Sequence, residues 1–397
     1  MFNKNQKPID EEIKVLNYKG IFKKELTVFQ AIALVVCGTV GAGALSIPYA
    51  ISKVGLKIGI LYIIVLGLLM MGLNLLLGYV TVKTKQDMQM VGLARKYLGK
   101  KGEIVMATIS YLLFFGVLVV YIIGAGDVLT ALLGGKLIIW SSVFFIFASF
   151  FVIKGLRSVK TIEFLVSIAI IVVILLIAYF SLPHISSVNL KYLSLSNILL
   201  PYGVILFSLH GTSSVPEAHA LLRDRDSDFK KVIIFSSLIT MFIYLVFTFV
   251  VIGVTGTSTT EIATIGLGNH VGELMYLFGN IFALLAMTSS FIMIGLSLKD
   301  SLIWDYKMKS YMANIITLCV PFIIFIFGLR EFAEAIDLVG GVFISLEMFM
   351  ILLIYWKAAN DGHVAGGKYK LHHTLFLVMA LIIVLIIGTV YSVLKMF

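Results

Sequence analysis

Charge is what this sequence lacks most. Only 13% of its 397 residues are Asp, Glu, Lys or Arg, against 60% hydrophobic residues. An ordinary globular domain carries roughly a quarter charged residues. With a mean hydropathy of +1.05, the apolar surface cannot all be hidden in one soluble core and must face lipid. Cysteine is nearly absent too. Cys37 and Cys319 both lie in apolar stretches without metal-ligand spacing, so buried small hydrophobes are expected. There is no Walker loop, so ATP does not drive the chain directly, and no HExxH zinc pattern. His210-Gly211-Thr212-Ser213 is not a nucleophile elbow, because no strand precedes it. No cofactor is called for, and an enzyme is not expected. The first 24 residues carry Lys4, Lys7, Asp10, Glu11, Glu12 and Lys14 and no apolar run of secretory-signal length. A polar tail over 1–26 is expected there.

What is present is a series of long apolar runs. A spanning helix needs about 20 mostly apolar residues. Such runs fall at 27–52, 56–82, 104–126, 137–154, 159–182, 197–221, 231–254, 271–298, 311–328, 332–357 and 373–395. The link between the second and third holds an amphipathic piece, Met88 to Leu98, with Val91, Ala94 and Leu98 on one side. It is expected to lie on the membrane surface. With the N-terminus in the cytoplasm and strict alternation, 25 of the 31 Lys and Arg fall in cytoplasmic segments and none lies mid-membrane. This bias fits eleven crossings of a cell membrane with the C-terminus outside. The net charge of +10 therefore reports orientation and not nucleic-acid binding. The partners expected are the lipid bilayer and a small molecule, with no obligate protein partner.

Eleven spans suggest two inverted five-helix halves, 27–182 and 197–357, with a further helix at 373–395. Inverted repeats are common in secondary transporters, and their sign is a pair of interrupted helices at matching positions. The first span holds Gly38-Thr39-Val40-Gly41-Ala42-Gly43, then Ser46 and Pro48; the sixth holds Phe207-Ser208-Leu209-His210-Gly211-Thr212, then Pro216-Glu217. Each glycine weakens a helix by roughly 1 kcal/mol against alanine, and Pro48 removes a backbone donor. An unwound turn at membrane depth frees N–H and C=O groups that must line protein or a wet cavity. N–H groups at half-helix starts suit a carboxylate, and freed carbonyls at half-helix ends suit an ammonium group or a cation. A zwitterionic amino acid presents both. The plainer alternative is small residues letting two helices pack closely.

Other polar residues at depth keep two readings each. His210 is a proton-coupling group or a neutral histidine bonded to loose carbonyls. Glu347, mid-span in the tenth run, is a proton relay or a hydrogen bond to a neighbouring helix. Glu163 and Glu217 are gates paired with Lys160 or Arg223, or solvated helix ends. Asp127 and Asp337 stay open in the same way. Tyr111 and Phe207 either wall a substrate pocket or face core or lipid.

These motifs resemble the amino acid/polyamine/organocation superfamily, in particular its amino acid/auxin and aromatic (hydroxy-) amino acid permease branches. The resemblance rests on Gly38 to Ala50, on Pro201 to Phe207 with His210-Gly211 and Val215-Pro216-Glu217, on Ala286 to Phe291 with Leu298-Lys299-Asp300, and on Gly340-Gly341-Val342-Phe343. It covers nearly the whole chain. It implies an all-α fold of the leucine-transporter type and a substrate held between the first and sixth helices. The carboxylate would meet N–H groups around Gly41, Ala42 and Gly43, and the ammonium carbonyls near Cys37, Phe207 and Ser208, with Thr39 and Gly211 alongside. It also implies a four-helix bundle of spans one, two, six and seven that rocks against the rest. In sodium-driven relatives a cation sits between the first and eighth helices; Thr288 and Ser289 match its hydroxyls, with carbonyls near Gly38 and Gly41 opposite. Cys37 stands where some relatives place asparagine, a departure from that sodium site. No lysine occurs between Thr161 and Pro183, so a lysine in place of sodium is not supported. The expected function is import of an amino acid by alternating access, driven by a proton or sodium gradient. A polyamine carrier of the same fold and a non-transporting sensor are the rivals.

Overall fold

A helix that begins beside polar chain must satisfy its first amide groups. Thr27 and Gln30 do this reciprocally: the Gln30 amide donates to Thr27 Oγ1 at 3.3 Å and the Thr27 amide to Gln30 Oε1 at 3.0 Å. The first helix, α1, then runs over Val28–Thr39. A computed structural model describes residues 27–84, 88–154, 159–222, 226–305, 307–328, 331–360 and 374–394. The tail expected at 1–26 lies outside these residues.

After α1 a short 3-10 turn covers Ala42–Leu45, and α2 covers Ile47–Ser52. Long helices follow as α3 (Leu56–Thr84), α4 (Met90–Leu133), α5 (Leu137–Lys154) and α6 (Val159–Ser181). The second interrupted segment is α7 (Pro201–Ser208) and α8 (Ser214–Leu222). Then come α9 (Asp226–Thr255), a short α10 (Ala263–Val271), α11 (Glu273–Asp305) and α12 (Ser310–Phe327). A π turn over Val339–Ile344 joins α13 (Phe332–Leu338) to α14 (Ser345–Asn360), and α15 spans Thr374–Leu394. The described residues are all-helical, with no strand among them.

Among the described residues, eight helical segments are long and apolar enough to cross a bilayer. The other three expected spans correspond to α6 and to the interrupted pairs α1–α2 and α7–α8. Lipid and core are told apart by burial. In α5, α12 and α15 less than a third of the apolar window is buried, whereas in α4 and α9 two thirds is. The latter pair thus forms the inside of the bundle. α9 packs on α1 and α3, and α4 packs on α5, α11 and α14. Cys319, a buried small hydrophobe by the sequence reading, is exposed, because α12 lies on the outside of the bundle.

Three local features also depart from the sequence expectation. The surface piece before the third span does not stand apart. Met90 to Leu98 is helical and continues into α4 across a kink at Gly99, whose φ of 71° suits glycine. Its buried side is Met90, Leu93, Ala94 and Tyr97, and Tyr97 Oη meets Thr84 Oγ1 at 2.9 Å. The Tyr97 phenol turns that face back onto the end of α3, so Val91 and Leu98 are only half-buried. The prolines also act differently from the expectation. Pro48 and Pro216 lie in the first turns of α2 and α8, where a missing N–H costs no internal bond. Small residues open each break, and proline restarts the helix after it. The tenth span, expected as one run, carries the π turn at Gly340 and Gly341. A Cβ on Gly340 would overlap the Gly203 carbonyl of α7, and one on Gly341 would overlap Ser392 Oγ of α15. Backbone therefore packs directly on backbone behind the second break.

Candidate functional site

The first chain break follows from its sequence. α1 closes with the Val40 amide bonded to Val36 O at 2.7 Å. Gly41 is then extended at φ −128° and ψ −159°. The next turn resumes with Ala44 N–H on Gly41 O and Ser46 N–H on Gly43 O, both 3.1 Å. Gly41, Ala42 and Gly43 thus enter a helical turn with their amides ahead of its first internal bond. In the second break, Leu209 N–H bonds Ile205 O at 2.9 Å and His210 N–H bonds Phe207 O at 3.2 Å. α8 restarts with Ser214 N–H on Gly211 O at 3.1 Å.

The two breaks face each other through their glycines. A Cβ on Gly38 would overlap Ser214 Oγ, and one on Gly211 would overlap Thr39 Oγ1. A Cβ on Gly43 would lie 2.8 Å from the Phe207 ring and 2.9 Å from Ser208 Oγ. Close packing and broken helices were alternatives in the sequence; in the structure the first makes the second possible. Gly41 is the exception, since a Cβ there would meet nothing within 4 Å. It borders open space beside the amides of the 3-10 turn.

Tyr244 of α9 holds both breaks from one side. It is fully buried, and its Oη lies 2.7 Å from Ser208 O and 3.2 Å from Thr39 O. A phenol has one proton to donate, so the shorter contact to Ser208 takes it and Thr39 O keeps a free lone pair. Nothing in the sequence marked this residue, because it sits within the apolar run of α9 and its targets are backbone atoms.

On the other side, the second break is tied to α14. His210 Nε2 lies 2.6 Å from Glu347 Oε2 and 2.8 Å from Thr212 Oγ1, and Thr212 Oγ1 donates to the same carboxylate oxygen at 3.3 Å. The His210 and Glu347 side chains are only 17% and 7% exposed. Glu347 therefore has the neighbouring-helix bond that the sequence offered as one reading, and its partner is the other buried titratable candidate. Thr212, which completes the cluster, was not singled out in the sequence.

The remaining candidates are spread more widely. Phe207 is buried with its ring on Gly43, and Ser208 Oγ donates to Val204 O at 2.8 Å. Tyr111 Oη meets Ser301 Oγ at 2.8 Å, three helical turns along α11 from Ser289, and Gly116, a little over one turn further along α4, lies beside Val339 and Phe343 of the π turn. Thr288 Oγ1 donates to Leu284 O at 2.7 Å and so offers only lone pairs outward, as a cation ligand must. α11, which carries Thr288 and Ser289, packs against the Ala42–Leu45 turn. Cys37, Glu163 and Glu217 have helical backbones; their side chains, with the proposed pairing to Arg223 or Lys160, lie outside the described residues, as does the Ala42 side chain.

Comparison with known proteins covers nearly the whole chain. The model of the tryptophan/tyrosine permease family matches residues 24–392. The chain is 25% identical over 384 residues to "Glutamine transporter 2" of Aliivibrio fischeri, covering 88% of this chain and 97% of that one. It is 26% identical over 392 residues to "Tyrosine-specific transport system 1" of Haemophilus influenzae, covering 90% and 94%. The crystal structure of MhsT in complex with L-phenylalanine matches with a TM-score of 0.65 at 14% identity, over 95% of this chain and 100% of that one. That likeness shows a shared leucine-transporter-type fold. With the family match running from before the first break into the last helix, this multi-pass membrane protein belongs to the tryptophan/tyrosine permease family.

Proposed function

We propose that this protein is a secondary active transporter that imports an amino acid by alternating access across the cell membrane. Its N-terminus is cytoplasmic and eleven segments cross the bilayer. The observation that carries this reading is the face-to-face pairing of two unwound turns around Gly41. Amides of Gly41, Ala42 and Gly43 offer N–H groups for a carboxylate. The Thr39 carbonyl, left with a lone pair by Tyr244, offers an acceptor for the ammonium. The Ser208 carbonyl accepts the Tyr244 proton on one lone pair and keeps a second for the same ammonium. The named relatives transport glutamine and tyrosine, which supports an α-amino acid and not a polyamine.

The driving force is a cation gradient, and the His210–Thr212–Glu347 cluster is the group through which a proton acts. His210 and Glu347 tie α14 to the second break through a 2.6 Å contact, and a bond of that kind depends on the proton it carries. Rocking of the helices that carry the two breaks must loosen this link. The test is uptake into proteoliposomes with a panel of the twenty amino acids and spermidine, with and without sodium and with an inward pH gradient. Accumulation of one or a few amino acids under the pH gradient is expected. Spermidine uptake, or tight binding without flux, would overturn the reading in favour of a polyamine carrier or a sensor.

A further inference from the structure

Just below the phenol of Tyr244, α9 turns a row of hydroxyls toward a hollow between α1, α3 and the end of α7. Its polar lining is Thr39, Asn74, Ser236, Ser237 and Thr240, with Leu209 closing one side. The hollow has room for little more than a water-sized body. Asn74 is 5% exposed, and its Oδ1 has no hydrogen-bond partner in the protein. A buried amide oxygen without a donor is costly, so it points to an occupant.

The chemistry of the lining selects that occupant. Thr39 Oγ1 donates to Val35 O at 2.8 Å, Ser236 Oγ to Ile233 O at 3.0 Å and Ser237 Oγ to the same carbonyl at 2.8 Å. Each hydroxyl proton is thus turned back onto its own helix, and lone pairs face the hollow. With Asn74 Oδ1 that makes four oxygens that accept and do not donate. Two helices also end here, because α1 stops at Thr39 and α7 at Ser208. A helix C-terminus carries partial negative charge. A water molecule can donate to only two of these four oxygens. A small cation satisfies all of them at once, as hard oxygen ligands do elsewhere.

We propose that this hollow is a binding site for one sodium ion, held by Asn74, Thr39, Ser236 and Ser237 where the two half-helices end. It is separate from Thr288 and Ser289 on α11, and it does not depend on the identity of the transported substrate. Bound there, the ion bridges α1, α3 and α9 and stabilises the paired breaks.

The test is thermal unfolding of the whole protein in lipid nanodiscs without amino acid. Sodium chloride is titrated against choline chloride at constant ionic strength. The expected result is a saturable rise of the wild-type midpoint with sodium. Asn74→Leu should raise the half-saturating concentration by about tenfold or more, and Asn74→Asp should lower it. If Asn74→Leu does not fold, the Ser236→Ala/Ser237→Ala double variant must show the same weakening. No sodium response in the wild type would overturn the site in favour of bound water. So would a response that survives both the Asn74 and serine variants, or one lost in Thr288→Ala but kept in Asn74→Leu. Because transport is not measured, failure here is distinct from failure of the transporter reading.

Discussion

The two helix breaks solve one problem by different means. The first is made almost wholly of backbone: three glycines within six residues, an extended Gly41, and open space next to it. The second keeps its side chains and is pinned by them. Tyr244 holds its Ser208 carbonyl from α9, and Glu347 holds His210 and Thr212 from α14. A break built of glycine presents amides to a ligand but has no means of sensing anything else. A break pinned by titratable groups can register a proton. Under the proposed function, ligand contact and energy coupling are divided between the two breaks.

The sharpest way to break the comparison is to fill the contact between the halves. Gly38→Val and Gly43→Leu drive side chains into Ser214 and Phe207. Overpacking of this kind costs about 1–3 kcal/mol and should lower the initial rate of uptake by about 100-fold. Tyr244→Phe comes next, because it removes the one donor common to both breaks. It leaves a buried carbonyl unpaired at a cost of about 1–3 kcal/mol, seen as a lower melting midpoint together with roughly tenfold slower uptake. His210→Gln and Glu347→Gln should act on the second break alone. Each is expected to flatten the pH dependence of uptake, and the double variant should be no worse than either single one, since the two residues act as one unit. The smallest effect on stability belongs to Gly41→Ala, whose methyl group enters open space. Its melting midpoint should correspond to a change within about 0.5 kcal/mol, while the half-saturating substrate concentration rises a few-fold. If Gly41→Ala instead unfolds the protein, the first break is a packing device and not a ligand site.

Legibility in the sequence followed the range of the interactions. Both breaks could be read because glycine runs and the residues near Pro48 and Pro216 act locally. The spans could be read because a bilayer demands long apolar runs. His210 and Glu347 were each visible as polar groups at depth, but they lie 137 positions apart, and no local pattern links them. Tyr244 escaped because an aromatic in an apolar helix looks like packing, and its hydroxyl bonds to carbonyls that exist only where other helices have unwound. Tyr111 was visible as an aromatic in an apolar run, but no local pattern showed that its hydroxyl meets Ser301, 190 positions away. Asn74 was hidden in the same way as Tyr244, as a single amide in the long apolar middle of the twenty-nine-residue α3.

The π turn over Val339–Ile344 has a consequence for how this molecule could change over time. A π turn holds one residue more than the α turn it replaces, and each residue of an α-helix rotates the next by about 100°. Deleting a single residue from this stretch would therefore restore regular winding without changing the phase of the helix beyond it, and Glu347 would still face His210. The same deletion made at Leu346, in regular helix, would swing the carboxylate by roughly that angle. The π turn is thus the place where this helix can gain or lose a codon and keep its acidic group on the second break.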